Sequence, residues 1–128
     1  MIKPFVMDGK EYNVHVMSLT RLFSVKDAIQ PRTAQNGSIY RDPVGTYYNY
    51  SMTVRGRDDD PKAVDDFWDA VSAPVDSHVC EFPYNQSTLT QRMYITSGRQ
   101  DIRRIHDSKT EWKDITIQFI AKSPKVTP

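Results

Sequence analysis

Cysteine is nearly absent: Cys80 is the only one in 128 residues. A lone thiol forms no intramolecular bridge, which excludes a disulfide scaffold and fits a reducing compartment. Neither sign of charge is in excess. Seventeen Lys and Arg stand against sixteen Asp and Glu, a net of +1, so no global field draws the chain to nucleic acid or anionic lipid. No apolar run approaches the ~18 residues of a membrane-spanning helix, and residues 1–9 are too short and too polar for a signal peptide. The expectation is a soluble cytosolic protein, one domain over residues 1–128, with no membrane contact.

Chemical motifs are missing as well. The five glycines are scattered, so there is no phosphate-cradling loop, and no Gly-x-Ser-x-Gly elbow occurs. His78 and Cys80 share a strand face, but zinc needs two further ligands and no Cys-x-x-Cys or His-x-x-x-His pair supplies them. As a nucleophile Cys80 would sit ~7 Å from His78 by strand spacing, beyond hydrogen-bond reach. Asp58, Asp59, Asp60, Asp65, Asp66 and Asp69 lack the alternating pattern of a calcium loop. The sequence predicts no enzyme, cofactor, metal or small-molecule substrate.

What is present is strand pattern with one helix. Asp8-Gly9, between runs at 3–7 and 11–17, is the dipeptide of a tight hairpin turn. Tyr12, Val14 and Val16 then alternate with Asn13, His15 and Met17. Leu19, Arg21, Phe23 and Val25 keep no clean period, although Phe23 and Val25 share a face expected to be dry, with Ser24 and Lys26 on the wet one. Residues 46–57 read as the clearest strand, with Tyr48, Tyr50, Met52 and Val54 on one face. Asp60-Pro61 signals a helix start, with Asp60 as the cap. Val64, Phe67, Trp68 and Val71 form its apolar stripe over about 61–72. Runs at 79–83 and 89–95 flank a four- or five-residue hairpin loop. Residues 100–106 fit a bulged strand or a short helical turn, and Ile115, Ile117, Phe119 and Ala121 mark a closing strand. A short tail after 123 is expected to fray. The fold class predicted is mainly β: an antiparallel β-sandwich or partly open barrel with one flanking helix.

Residues 28–43 lose all periodicity and make a loop longer than most in a compact domain. Its apolar Ile29, Ile39 and Tyr40, with Arg32, Arg41 and Asp42 for ion pairing, are the candidate intersubunit contacts. A second basic cluster, Arg99, Arg103 and Arg104, would suit single-stranded nucleic acid on a small β-barrel, with Tyr residues for stacking. Asp101, Asp107 and Glu111 interrupt that cluster.

Residues 18–27 and 37–51, above all Arg41-Asp42-x-x-Gly45-Thr46-Tyr47-Tyr48-Asn49-Tyr50, resemble small virion proteins from the tail modules of long-tailed bacteriophages. The overall layout is similar to the tail-tube fold of tube, distal-tail and tail-completion proteins. That resemblance implies a structural protein in the tail or baseplate, assembled in the bacterial host cytoplasm. It would form a homo-oligomeric ring, often of six copies, against adjacent tail or baseplate proteins. Distal-tail proteins commonly add a second, carbohydrate-module-like domain that 128 residues do not accommodate. A tube subunit, a reduced baseplate ring subunit and a joining protein all remain open.

Overall fold

The computed structural model describes residues 5–28, 32–33 and 37–128, with the backbone alone described for 32–33 and 39–40. In chain order these form β1 (Val6–Met7), β2 (His15–Asp27), β3 (Arg32–Thr33), β4 (Ile39–Tyr40) and β5 (Pro43–Arg55). Then follow α1 (Pro61–Val71), β6 (His78–Tyr84), β7 (Ser87–Tyr94), β8 (Gly98–His106) and β9 (Lys109–Ala121). The protein is mainly β. Seven strands make one antiparallel sheet in the order β1-β6-β7-β9-β5-β2, with β8 also on β9, and β3 pairs only with β4.

The sheet coils strongly. Tyr50 of β5 stacks on Phe82 of β6, ring centroids 4.2 Å apart and planes 6° from parallel, although β7 and β9 lie between their strands. The Tyr50 hydroxyl donates to the Pro83 carbonyl at 3.0 Å, which satisfies the polar end of a buried ring. Phe5 and Phe119 complete the aromatic cluster around Phe82. Alternation along β9 explains its share: Ile115, Ile117, Phe119 and Ala121 are buried, while Thr116 and Gln118 are exposed.

Helix α1 closes one side of this core. Val64, Phe67 and Val71 are buried, but Trp68, expected in the same stripe, is only half-buried against the core. Pro61 stands at the helix start, where its missing N–H costs nothing. Asp60 does not cap with its side chain; its carboxylate instead accepts from Asn13 Nδ2 at 3.1 Å.

The Asp8-Gly9 turn forms as its residues require. Both have positive φ, 53° and 78°, and Met7 and Lys10 exchange two main-chain bonds. The ladder partner of β1 is nevertheless β6, through Val6↔Glu81 and Met7↔Cys80. In β2, Val16 lies opposite Val54 and Ser18 opposite Thr53, so Met17 is one extra residue. That bulge shifts the inward set from Tyr12, Val14 and Val16 to Leu19. Phe23 and Val25, expected on a dry face, are exposed, and Ser24 is half-buried. They do share the core face in register, opposite Tyr48 and Thr46, but both stay exposed.

Two other expectations change, and one open alternative is decided. The hairpin between β6 and β7 has a two-residue loop, Asn85-Gln86, because Tyr84 pairs with Ser87 and Asn85 takes a φ of 51°. Residues 98–106 take the bulged-strand alternative over the helical turn, with register shifts on either side of Ile102. The tail does not simply end: the Thr46 amide donates to the Val126 carbonyl at 2.8 Å, and the Lys125 amide donates to the Thr46 carbonyl at 2.9 Å. Within 28–43 the base is closed by the Ala28 amide donating to the Asp42 carbonyl at 2.8 Å, and Arg32↔Tyr40 and Thr33↔Ile39 form a small ladder.

Candidate assembly surface

Two long hairpins carry most of the exposed large apolar side chains among the described residues. β2, thirteen residues long, pairs among the described residues only with β5, so its outer edge is bare. Leu22, Phe23 and Val25 are exposed along it, Phe23 at 72%. β8 is the outer strand on the other side of β9. Its hairpin exposes Ile102 opposite Trp112, and Ile105 at 66%.

Beside β2 lies an open cleft of about 430 Å³ lined by Arg21, Leu22, Phe23, Tyr48, Tyr84 and Asn85. The strand register places Arg21 opposite Tyr50 and Phe23 opposite Tyr48, and the curl of the sheet brings the β6–β7 turn over them. Tyr48 and Tyr84 meet with centroids 5.3 Å apart. Hydrogen bonding toward Tyr84, with some desolvation, raises the Tyr48 phenol above its ordinary value. Arg21 lies over the Tyr84 ring at 5.7 Å and donates to Asn85 Oδ1 at 2.8 Å. The guanidinium therefore meets an amide and a ring face instead of a carboxylate. Tyrosine and arginine at the centre of an apolar patch are the residue types that dominate binding energy in protein interfaces.

The residues singled out from sequence divide as follows. Ile29 lies outside the described residues, and Arg32, Ile39 and Tyr40 are placed by backbone alone. Arg41 is satisfied within its own chain, its Nε and Nη2 donating to the two Asp27 oxygens at 3.2 and 2.9 Å, which raises its pKa further. Asp42 is exposed. In the second cluster Arg99 pairs with Asp101 at 3.2 Å, and Arg104 bonds both Glu111 oxygens. Those bonds hold the Glu111 carboxyl below its ordinary value. Arg103 is exposed on the same strand. Reading from sequence missed Arg21, Leu22, Phe23, Tyr84 and Asn85 as a group, since a bulge and a distant turn bring them together.

Cys80 is fully buried, and burial, aided by the Asp8 charge, pushes its thiol up to about 12. His78 is buried with its Nδ1 2.6 Å from Asp8 Oδ2. Among the described residues no three His, Cys, Asp or Glu side chains group closely enough to hold a metal ion, and no helix is long and apolar enough to cross a membrane. Compared with known proteins, the chain matches no protein-family model and no curated protein.

Proposed function

We propose that the protein is a structural virion component that self-assembles head to tail into a ring in the tail or baseplate of a long-tailed bacteriophage. The observation that carries this reading is the bare, apolar-bearing edge of β2. A long exposed edge with unpaired main-chain groups is an aggregation hazard that proteins cover or blunt, and pairing with another strand is the direct cover. Topology supplies a candidate. Along β8-β9-β5-β2 every pairing is antiparallel, so the outer strands β2 and β8 run in opposite directions. A rotation that carries one copy to the next therefore lays β8 antiparallel to the β2 of its neighbour, and repeated rotation closes a ring.

The magnitudes support using both hairpins. Covering the exposed parts of Leu22, Phe23 and Val25 is worth roughly 1–2 kcal/mol each, a total that reaches only the low end of an association cost of about 4–15 kcal/mol. Adding Ile102, Ile105 and Trp112 from the neighbour roughly doubles the gain. The coiled antiparallel sheet with one helix suits a tail-tube-like sandwich or partly open barrel. The residues that most resemble tail proteins, 41–50, run into and along β5, the partner of β2. The nucleic-acid alternative is weaker, because Arg99 and Arg104 already pair with carboxylates of their own hairpin. Light scattering over a concentration series tests the proposal: mass should rise with concentration and fall back to monomer in Phe23→Glu. A monomer at every concentration, with and without neighbouring tail proteins, would overturn it.

A further inference from the structure

Over Tyr50–Val54, β5 has β9 as its ladder neighbour; over residues 43–49 it does not. That stretch of edge is served piecemeal. Gln91 Nε2 donates to the Tyr48 carbonyl at 2.7 Å, the Ala121 amide donates to Asn49 Oδ1 at 2.8 Å, and residues 124–126 cross at Thr46. The crossing depends on Gly45. A Cβ there would stand 2.6 Å from Pro124 Cβ and 2.7 Å from the Val126 carbonyl oxygen. Glycine weakens a strand interior and marks close approach of another backbone, so the slot is fitted to an extended segment.

We propose that this slot takes residues 124–128 of a second copy in the assembled state, the strap being exchanged between subunits. The inference rests on the self-assembly reading. Three features favour exchange. Among the described residues the strap's main-chain bonds all go to one residue, Thr46, so its release costs little. Val126 and Val44 remain exposed beside the slot, leaving apolar surface for a neighbour to cover. The bonds remade in a partner are the same bonds, which is why exchange of identical elements is a low-cost route to assembly. Bringing copies together through the two hairpins raises the local concentration of straps and makes so small a contact effective.

The test uses whole chains carrying Thr46→Cys or Val126→Cys, residues that lie opposite one another in the bridge and so meet the spacing of a disulfide. Cys80 is fully buried, which leaves the introduced thiols as the reactive ones. The two chains are mixed at a concentration where scattering shows association, then oxidised and resolved without reductant. Exchange gives a linked dimer in the mixture and none in either chain alone; adding Gly45→Val to the Thr46→Cys chain abolishes it. Association without a linked dimer, or a link that survives Gly45→Val, overturns the exchange and leaves the self-assembly reading standing. Absence of association overturns both.

Discussion

At the scale of single residues, burial separates neighbours that the helical period groups together. Phe67 is fully buried, whereas Trp68 is half-buried, so Phe67→Ala should cost about 3–5 kcal/mol in denaturant titration. Trp68→Ala should cost about half as much, a reversal of what ring size alone suggests. The Asp8 carboxylate grips β6 through His78 Nδ1 and the Val79 amide, the latter at 2.9 Å. Desolvation opposes its ionisation, but the His78 and Val79 hydrogen bonds outweigh it and leave its pKa below the ordinary value. A carboxyl depressed in the folded state stabilises above its unfolded pKa, near 4. That contribution is lost as pH falls through the folded value. Asp8→Asn should therefore lower stability at pH 7 and converge with the native protein below about pH 4; a constant difference from pH 7 to pH 3 would remove the charge from the account. Cys80, its thiol raised to about 12, should resist alkylation in the folded protein and react once denaturant is added.

At the scale of elements, the sequence is legible where one periodicity runs uninterrupted and opaque where geometry breaks it. Tyr48, Tyr50, Met52 and Val54 mark β5 without ambiguity, and Ile115 to Ala121 mark β9. The Asp8-Gly9 turn is readable because positive φ restricts its residues. Its neighbours are not, since which strand accepts β1 depends on the coil of the whole sheet. β2 shows the physical limit most clearly. The residues before Met17 alternate, but Met17 adds a residue and Leu19, Arg21, Phe23 and Val25 mix polar and apolar side chains on one face, so no single alternation fits. Deleting Met17 should force one half to turn its side chains over. Exposing Tyr12, Val14 and Val16 would then cost about 3 kcal/mol, taken as partial burial of three apolar side chains. Met17→Ala, which leaves the bulge in place at a half-exposed position, should stay within about 0.5 kcal/mol. Equal effects of deletion and substitution would mean that the bulge does not set the register. The loop at 28–43 was legible as an interruption of the strands. The Asp27–Arg41 and Ala28–Asp42 contacts that close its base were not, because both depend on the register of the hairpin beneath.

At the scale of the whole molecule, the handedness of the contact separates a ring from a closed pair. If β2 of one copy meets β8 of the next, each subunit contributes two different faces, and the faces are disabled independently. Phe23→Glu spoils the β2 face and Ile105→Glu the β8 face. Both positions are largely exposed, so neither change should move the monomer's stability by more than about 0.5 kcal/mol. Each variant alone should remain monomeric by light scattering. Mixed one to one, they retain a single good junction, between the intact β2 of the Ile105→Glu chain and the intact β8 of the Phe23→Glu chain. The next junction would set two introduced carboxylates against each other in a partly desolvated contact, which like charges disfavour. The mixture should accordingly stop at heterodimers and form no larger species. A self-complementary contact through β2 predicts otherwise, since every partner of the Phe23→Glu chain would meet a spoiled face and mixing would rescue nothing. Rescue that halts at two copies thus reports a heterologous interface, the only kind whose repetition closes into a ring of more than two subunits.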